Sequence, residues 1–155
     1  MPKLDLAAIE STNATGYPAP FDESVKGRRY RRLAQPAGLT QMGASHVVLE
    51  PGAWSSQRHW HSAVDELVIV LSGEAVLVDD AGETPVRAGD VLAFAAGEAN
   101  GHHLQNRSEG PFVYVAVSAG DAARDRGVYP DIDMTFAPDG YYRRDGTRYD
   151  TERLP

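Results

Sequence analysis

The chain places His59, Trp60 and His61 in a row, follows them with Glu66, and returns to histidine at His102 and His103. On a β-strand, side chains at i and i+2 point to the same side, so His59 and His61 share a face. A carboxylate close by and one more imidazole from a distant strand complete a mixed nitrogen and oxygen ligand set for a divalent metal. Of the five histidines, four fall in these two places, and packing alone does not explain that concentration. Glu66 lies an odd number of residues after His61, so a turn or bulge around residues 62–65 must reset the parity before Glu66 can face the same interior. His102 and His103 are adjacent and point to opposite sides of any strand, so only one of them can be a ligand.

Composition narrows the chemistry. There are no cysteines, which excludes disulfides, thiolate metal sites and cysteine nucleophiles. The ion must then be held by imidazole and carboxylate, a donor set that suits Fe, Mn, Ni, Co, Cu or Zn without choosing among them. A formal net charge of -7 argues against nucleic acid or an anionic membrane as partner. The opening residues lack the apolar run of a signal peptide, and no stretch has the length of a membrane span. The chain reads as soluble and cytoplasmic.

At 155 residues the chain has the size of one domain. Residues 1–27, rich in Pro, Gly, Ser and Thr, read as an irregular N-terminal arm. From 28 to 118 the signal is β throughout, with short runs at 41–50, 66–71, 75–78, 85–87, 91–94, 102–106 and 112–117. Turn residues separate them, among them Pro51-Gly52, Ser72-Gly73, Asp79 to Gly82 and Gly89-Asp90. Such spacing without a long helical pattern predicts an all-β antiparallel sandwich or barrel. The runs 67–71 and 112–117 are apolar on both faces, so their outer face needs cover, and a homodimer is the default expectation. The tail, 119–155, is polar but carries Tyr129, Phe136, Tyr141, Tyr142 and Tyr149. Disordered tails are poor in aromatics, so this one is expected to run along the barrel wall.

These residues resemble the two motifs of the cupin superfamily. Gly52, His59-Trp60-His61, Glu66 and Gly73 follow the first motif, and Gly89, Gly97, His102 and Asn106 follow the second. The sequence departs from the pattern in three ways. One extra residue lies between Gly52 and His59, Ala95 stands where the motif has proline, and two extra residues follow Gly97. The resemblance spans residues 52–106 and implies a cupin (double-stranded β-helix, jelly-roll) barrel over 28–118. It implies a divalent metal held by His59, His61, Glu66 and His102. His102 is favoured because its spacing to Asn106 fits the motif, while the insertion after Gly97 leaves His103 as the alternative.

Around that centre, Trp54, Gln57 and Tyr114 are candidate pocket-lining groups, and Ser62 and Asn106 are candidate partners that orient the imidazoles. His46 reads as a core or wall histidine, Asp65 as solvent-facing, and Trp60 as packing between sheets or at an interface. The basic cluster Lys26, Arg28, Arg29, Arg31 and Arg32 reads as a charged edge strand, with an anionic substrate drawn to the rim as another reading. Three histidines and one glutamate leave two open positions on a six-coordinate ion. That permits a dioxygenase with a redox-active metal, or an isomerase, epimerase or lyase with a Lewis-acid metal. The chain is similar to small single-domain cupins labelled sugar-phosphate-isomerase-like or polyketide-biosynthesis. Val68, Val70, Leu92, Phe94 and Leu104 suit a compact, weakly polar or aromatic small molecule. A non-catalytic binding or sensing module is the alternative from another class.

Overall fold

Alternation of apolar and polar residues along the strands sets the architecture. In the strand Val64–Ser72, Glu66, Val68 and Val70 turn inward while Leu67, Ile69 and Leu71 face out, the period-two pattern of a sheet with one buried face. The structure is a computed structural model that describes residues 3–151. Its strands are β1 Arg28–Arg32, β2 Gly43–Leu49, β3 Trp60–His61, β4 Val64–Ser72, β5 Glu74–Asp79 and β6 Gly82–Arg87. They continue as β7 Val91–Phe94, β8 His103–Gln105, β9 Phe112–Gly120, β10 Gly127–Tyr129, β11 Met134–Ala137 and β12 Gly140–Tyr142. The described helices are two 3-10 turns, Leu6–Ala8 and Glu23–Val25. No helix among the described residues is long and apolar enough to cross a membrane.

The strands form three sheets, ordered β1-β2-β9-β4-β7, β12-β11-β10-β3 and β6-β5-β8, and every pairing within them is antiparallel. This is the all-β antiparallel architecture that the strand spacing anticipates. Phe112, Leu49, Val70, Val86 and Leu104 close one end of the interior and are all nearly or wholly buried. Burying each such side chain is worth about 1.5–3 kcal/mol. At the turn after β4, Gly73 takes a φ of 78°, and a Cβ there would lie 2.4 Å from the Pro111 carbonyl oxygen. Only glycine fits both constraints.

Several strands differ from the sequence expectation, among them β6 and β8. β6 begins at Gly82 rather than 85, because Asp79 pairs directly with Gly82 and the hairpin turn is only Asp80-Ala81. Near 102 the chain changes partners. His102 exchanges backbone hydrogen bonds with His59, and from His103 onward the strand pairs with β5. The tail adds β10 directly to β3, with Gly127 opposite His61. A Cβ on Gly127 would sit 2.3 Å from the Trp60 carbonyl oxygen, so this close approach requires glycine.

Candidate metal centre

The pieces that hold the site are short and come from four places in the chain. β3 supplies His61, with His59 just before it in a single bridge to His102. A break at Ser62-Ala63 precedes β4, and the reset parity turns Glu66 inward. Donor atoms of His59, His61 and Glu66 all lie within 4.8 Å of one another. The two Nε2 atoms of His59 and His61 are 3.1 Å apart, and Glu66 Oε2 is 3.7 Å from His61 Nε2. His102 Nε2 lies 3.0 Å from the same Glu66 oxygen.

Each inward imidazole is oriented by an acceptor behind it. His59 Nδ1–H donates to the Gln57 carbonyl at 2.8 Å, and His102 Nδ1–H donates to the Asn100 carbonyl at 3.1 Å. His61 Nδ1–H donates to Asp125 Oδ2 at 2.5 Å. Asp125 is only 6% exposed and is itself fixed by the Ala63 amide at 2.9 Å. The acceptors claim the Nδ1 protons of His59 and His61, so in their neutral form these rings present bare Nε2 lone pairs to one another, while His102 has an acceptor at each nitrogen, the Asn100 carbonyl and the Glu66 carboxylate. Burial pushes the His59 imidazole down to about 4, against the pull of Glu66, so a proton on His59 does not relieve the crowding near neutral pH. Burial also pushes the Glu66 carboxyl up, but the His102 hydrogen bond and the neighbouring imidazoles outweigh it and hold the group at about 2. Converging lone pairs and an ionised carboxylate are the donor set a divalent cation satisfies.

Aromatic rings wall the cluster. Phe94 stacks on His102 at 3.5 Å between centroids and 2° between planes. Tyr129 of β10 stacks on His59 at 5.3 Å, and Phe136 of β11 packs against His61 at 5.0 Å. Tyr17, Tyr129 and Tyr141 pack ring against ring, with centroids 5.7 Å apart for Tyr17 and Tyr129, 5.5 Å for Tyr17 and Tyr141 and 6.3 Å for Tyr129 and Tyr141. Burial raises all three phenols, so they stay protonated donors. The cluster opens into a cavity of about 730 Å³ lined also by Arg28, Val68, Tyr114 and Tyr141, within the range of small-molecule sites.

The structure brings His59, His61, Glu66 and His102 together and turns His103 away. His103 Nδ1–H donates to the Ser56 carbonyl at 2.9 Å, and its ring meets Trp54 edge-on at 4.7 Å. Tyr114 lines the cavity, whereas Trp54 and Gln57 do not. Gln57 is buried on Phe21 and Ser24, and only its carbonyl serves the site. Ser62 and Asn106 do not orient the imidazoles. Ser62 Oγ accepts from the Arg126 amide, and Asn106 ties Leu49 to Gly110. That orienting role belongs to Gln57, Asn100 and Asp125. Sequence reasoning missed Asp125, which sits in a polar stretch without periodicity, and the one available signal was an acid in a tail rich in aromatics. His46 faces outward on β2, Asp65 is exposed and accepts from the Ala96 amide, and Trp60 is half-buried beside β10.

The chain matches the cupin domain family over residues 45–118. It is similar to a protein from Silicibacter pomeroyi DSS-3 described as a sugar phosphate isomerase from a cupin superfamily. The identity is 41%, the match covers 96% of each chain, and the TM-score is 0.89. A cupin 2 conserved barrel domain protein from Salinispora arenicola is 27% identical over 79% of this chain and 89% of its own, with a TM-score of 0.56. The polyketide cyclase RemF from Streptomyces resistomycificus shares the fold at 18% identity and a TM-score of 0.62, over 77% of this chain and 79% of its own. A search of curated proteins found no match.

Proposed function

The chain belongs to the cupin superfamily, and from that premise we propose that it is a divalent-metal-dependent enzyme acting on a small organic molecule by isomerase-type chemistry. The observation that carries this reading is the convergence of His59 and His61 Nε2 with the Glu66 carboxylate, every Nδ1 behind them already committed to an acceptor. His59, His61, Glu66 and His102 would hold the ion. Once bound, the ion would act as a Lewis acid on a carbonyl or hydroxyl oxygen of the substrate.

The remaining work falls to the chain's own groups. Asp125 fixes the His61 ring and strengthens it as a donor. Phe94, Tyr129 and Phe136 exclude water from one side of the cluster. The Tyr17, Tyr129 and Tyr141 phenols, kept neutral by burial, offer hydrogen bonds to a substrate oxygen. The Silicibacter protein's description as a sugar phosphate isomerase favours isomerisation over dioxygenase chemistry.

We also propose a homodimer. Leu67, Ile69 and Val91 are 37%, 37% and 59% exposed on one outer sheet face, where Ile69 pairs with both Val91 and Val115, and a second copy would cover that row.

Metal analysis of protein purified without a metal-affinity column tests the reading. The expected outcome is close to one transition-metal ion per chain and interconversion of sugar phosphates that a chelator abolishes. Turnover unaffected by chelation overturns it, and dioxygen consumption with a chelating enol or catechol turns it towards the oxygenase. Sedimentation that gives a monomer at micromolar concentration overturns the dimer.

A further inference from the structure

We propose that Arg28 is the anion-binding residue of the cavity, pairing with a carboxylate or phosphate group of the substrate whose other end reaches the histidine cluster. This deepens the metal-enzyme reading, since it takes the same cavity as the substrate site.

Arg28 shares a face of β1 with Tyr30 and Arg32 and is half-buried there, while Arg29 and Arg32 are exposed and Arg31 donates to the Ile9 carbonyl. Arg28 lines the cavity that contains His59, His61, Glu66 and His102. One arm is fixed, with Nη1 donating to the Ser55 carbonyl at 2.7 Å, and the group lies 5.4 Å from the Tyr30 ring centre. Nε is buried and has no hydrogen-bond partner. Arg28 forms no ion pair among the described residues. A guanidinium on a cavity wall without a carboxylate partner is costly, and an oxyanion in the cavity would supply that partner.

Charge balance inside the cavity points the same way. Glu66 is the carboxylate among the lining residues, and it is committed to the imidazoles. Arg148 lines the same space, with Nη2 donating to the Asp139 carbonyl at 2.6 Å. A divalent ion would add further positive charge. The cavity is thus cationic in a chain of net charge -7, and such a local reversal of sign concentrates anions where the global charge repels them. Tyr114 lines the same cavity.

The test is equilibrium binding by calorimetry of inorganic phosphate, propionate and uncharged propane-1,2-diol to the full chain. It is run zinc-loaded and after chelator stripping, so that direct ligation of the ion is separated from pairing with Arg28. Wild-type protein should bind an anionic probe in both forms and prefer it to the diol. Arg28→Gln should weaken that binding by more than about tenfold, at unchanged metal content and circular dichroism. Arg28→Lys should retain part of it, and it serves as the test variant if the glutamine protein does not fold. Phosphate binding alone identifies a phosphate-bearing substrate, and propionate binding alone a carboxylate. Anion binding that is unchanged in both Arg28 variants, or absent from wild type, overturns the proposal. Loss of metal binding with Arg28-dependent anion binding intact would overturn the metal reading only.

Discussion

The two ends of the barrel are built on the same strands and obey opposite rules. At the closed end, β4 contributes Val70 and β9 contributes Phe112, both essentially without solvent exposure, and the neighbours are Leu49, Val86 and Leu104. At the other end the same β4 presents Glu66, and the ladder meets His59, His61 and His102 instead of aliphatic side chains. The closed end is held by apolar area removed from water, which is non-directional and tolerant of small changes in geometry. The open end depends on aim, because each imidazole has its back nitrogen tied to a particular acceptor. Mutations should therefore act on stability at one end and on ligand binding at the other.

The largest effect should come from Phe112→Ala. The side chain is fully buried, so chemical denaturation should show a loss of about 3–5 kcal/mol, with metal content per folded chain unchanged. A variant that keeps its stability but loses metal would erase the division between the two ends.

Next comes removal of a donor. His59→Ala and His61→Ala should each lower metal affinity by more than the roughly hundredfold that marks the upper end for outer partners. His103→Ala should leave affinity alone, because that ring faces Ser56 and Trp54. Equal metal in all three proteins, measured by elemental analysis, would break the assignment of the inward face.

Asp125→Asn sharpens the comparison further. It removes the charge behind His61 while keeping the shape, and should cost about tenfold in metal affinity with unfolding unchanged. An unfolding midpoint that falls with the affinity would instead make Asp125 a part of the barrel's framework.

The smallest effect is expected at His46, on the outer face of β2. Burial lowers its imidazole below the ordinary 6.5, and Arg31 adds to the shift. The unfolded chain therefore takes up this proton before the folded one does. The folded state loses stability as pH falls through 6.5 towards the lowered value, and keeps it above 6.5. His46→Gln should reduce the stability lost between pH 7 and 5.5 by a fraction of a kcal/mol, on the order expected for a partly buried histidine. An identical decline in both proteins, followed by urea unfolding at each pH, would mean that other groups carry it.

The sequence determined more of this molecule than its short strands suggest. Period-two alternation in β4 and β9, broken by glycine turns, sets which side chains face inward, and this is local chemistry that neighbours in the chain impose on one another. His59 and His61 on one face, Glu66 after a parity reset and the opposed pair His102 and His103 were all legible for that reason. Tertiary structure decided what reaches the site from far away. Asp125 behind His61, Tyr129 and Phe136 over the imidazoles, and Arg28 on the cavity wall come from segments with no spacing relation to the histidines. Their positions follow from β10 pairing with β3, a contact that depends on Gly127 lacking a side chain. It also follows from β1 closing one edge of the five-stranded sheet. A sequence shows which face a residue occupies, because that is set by its immediate neighbours. What lies opposite that face is set by long-range pairing and packing, and these exist only once the chain has folded.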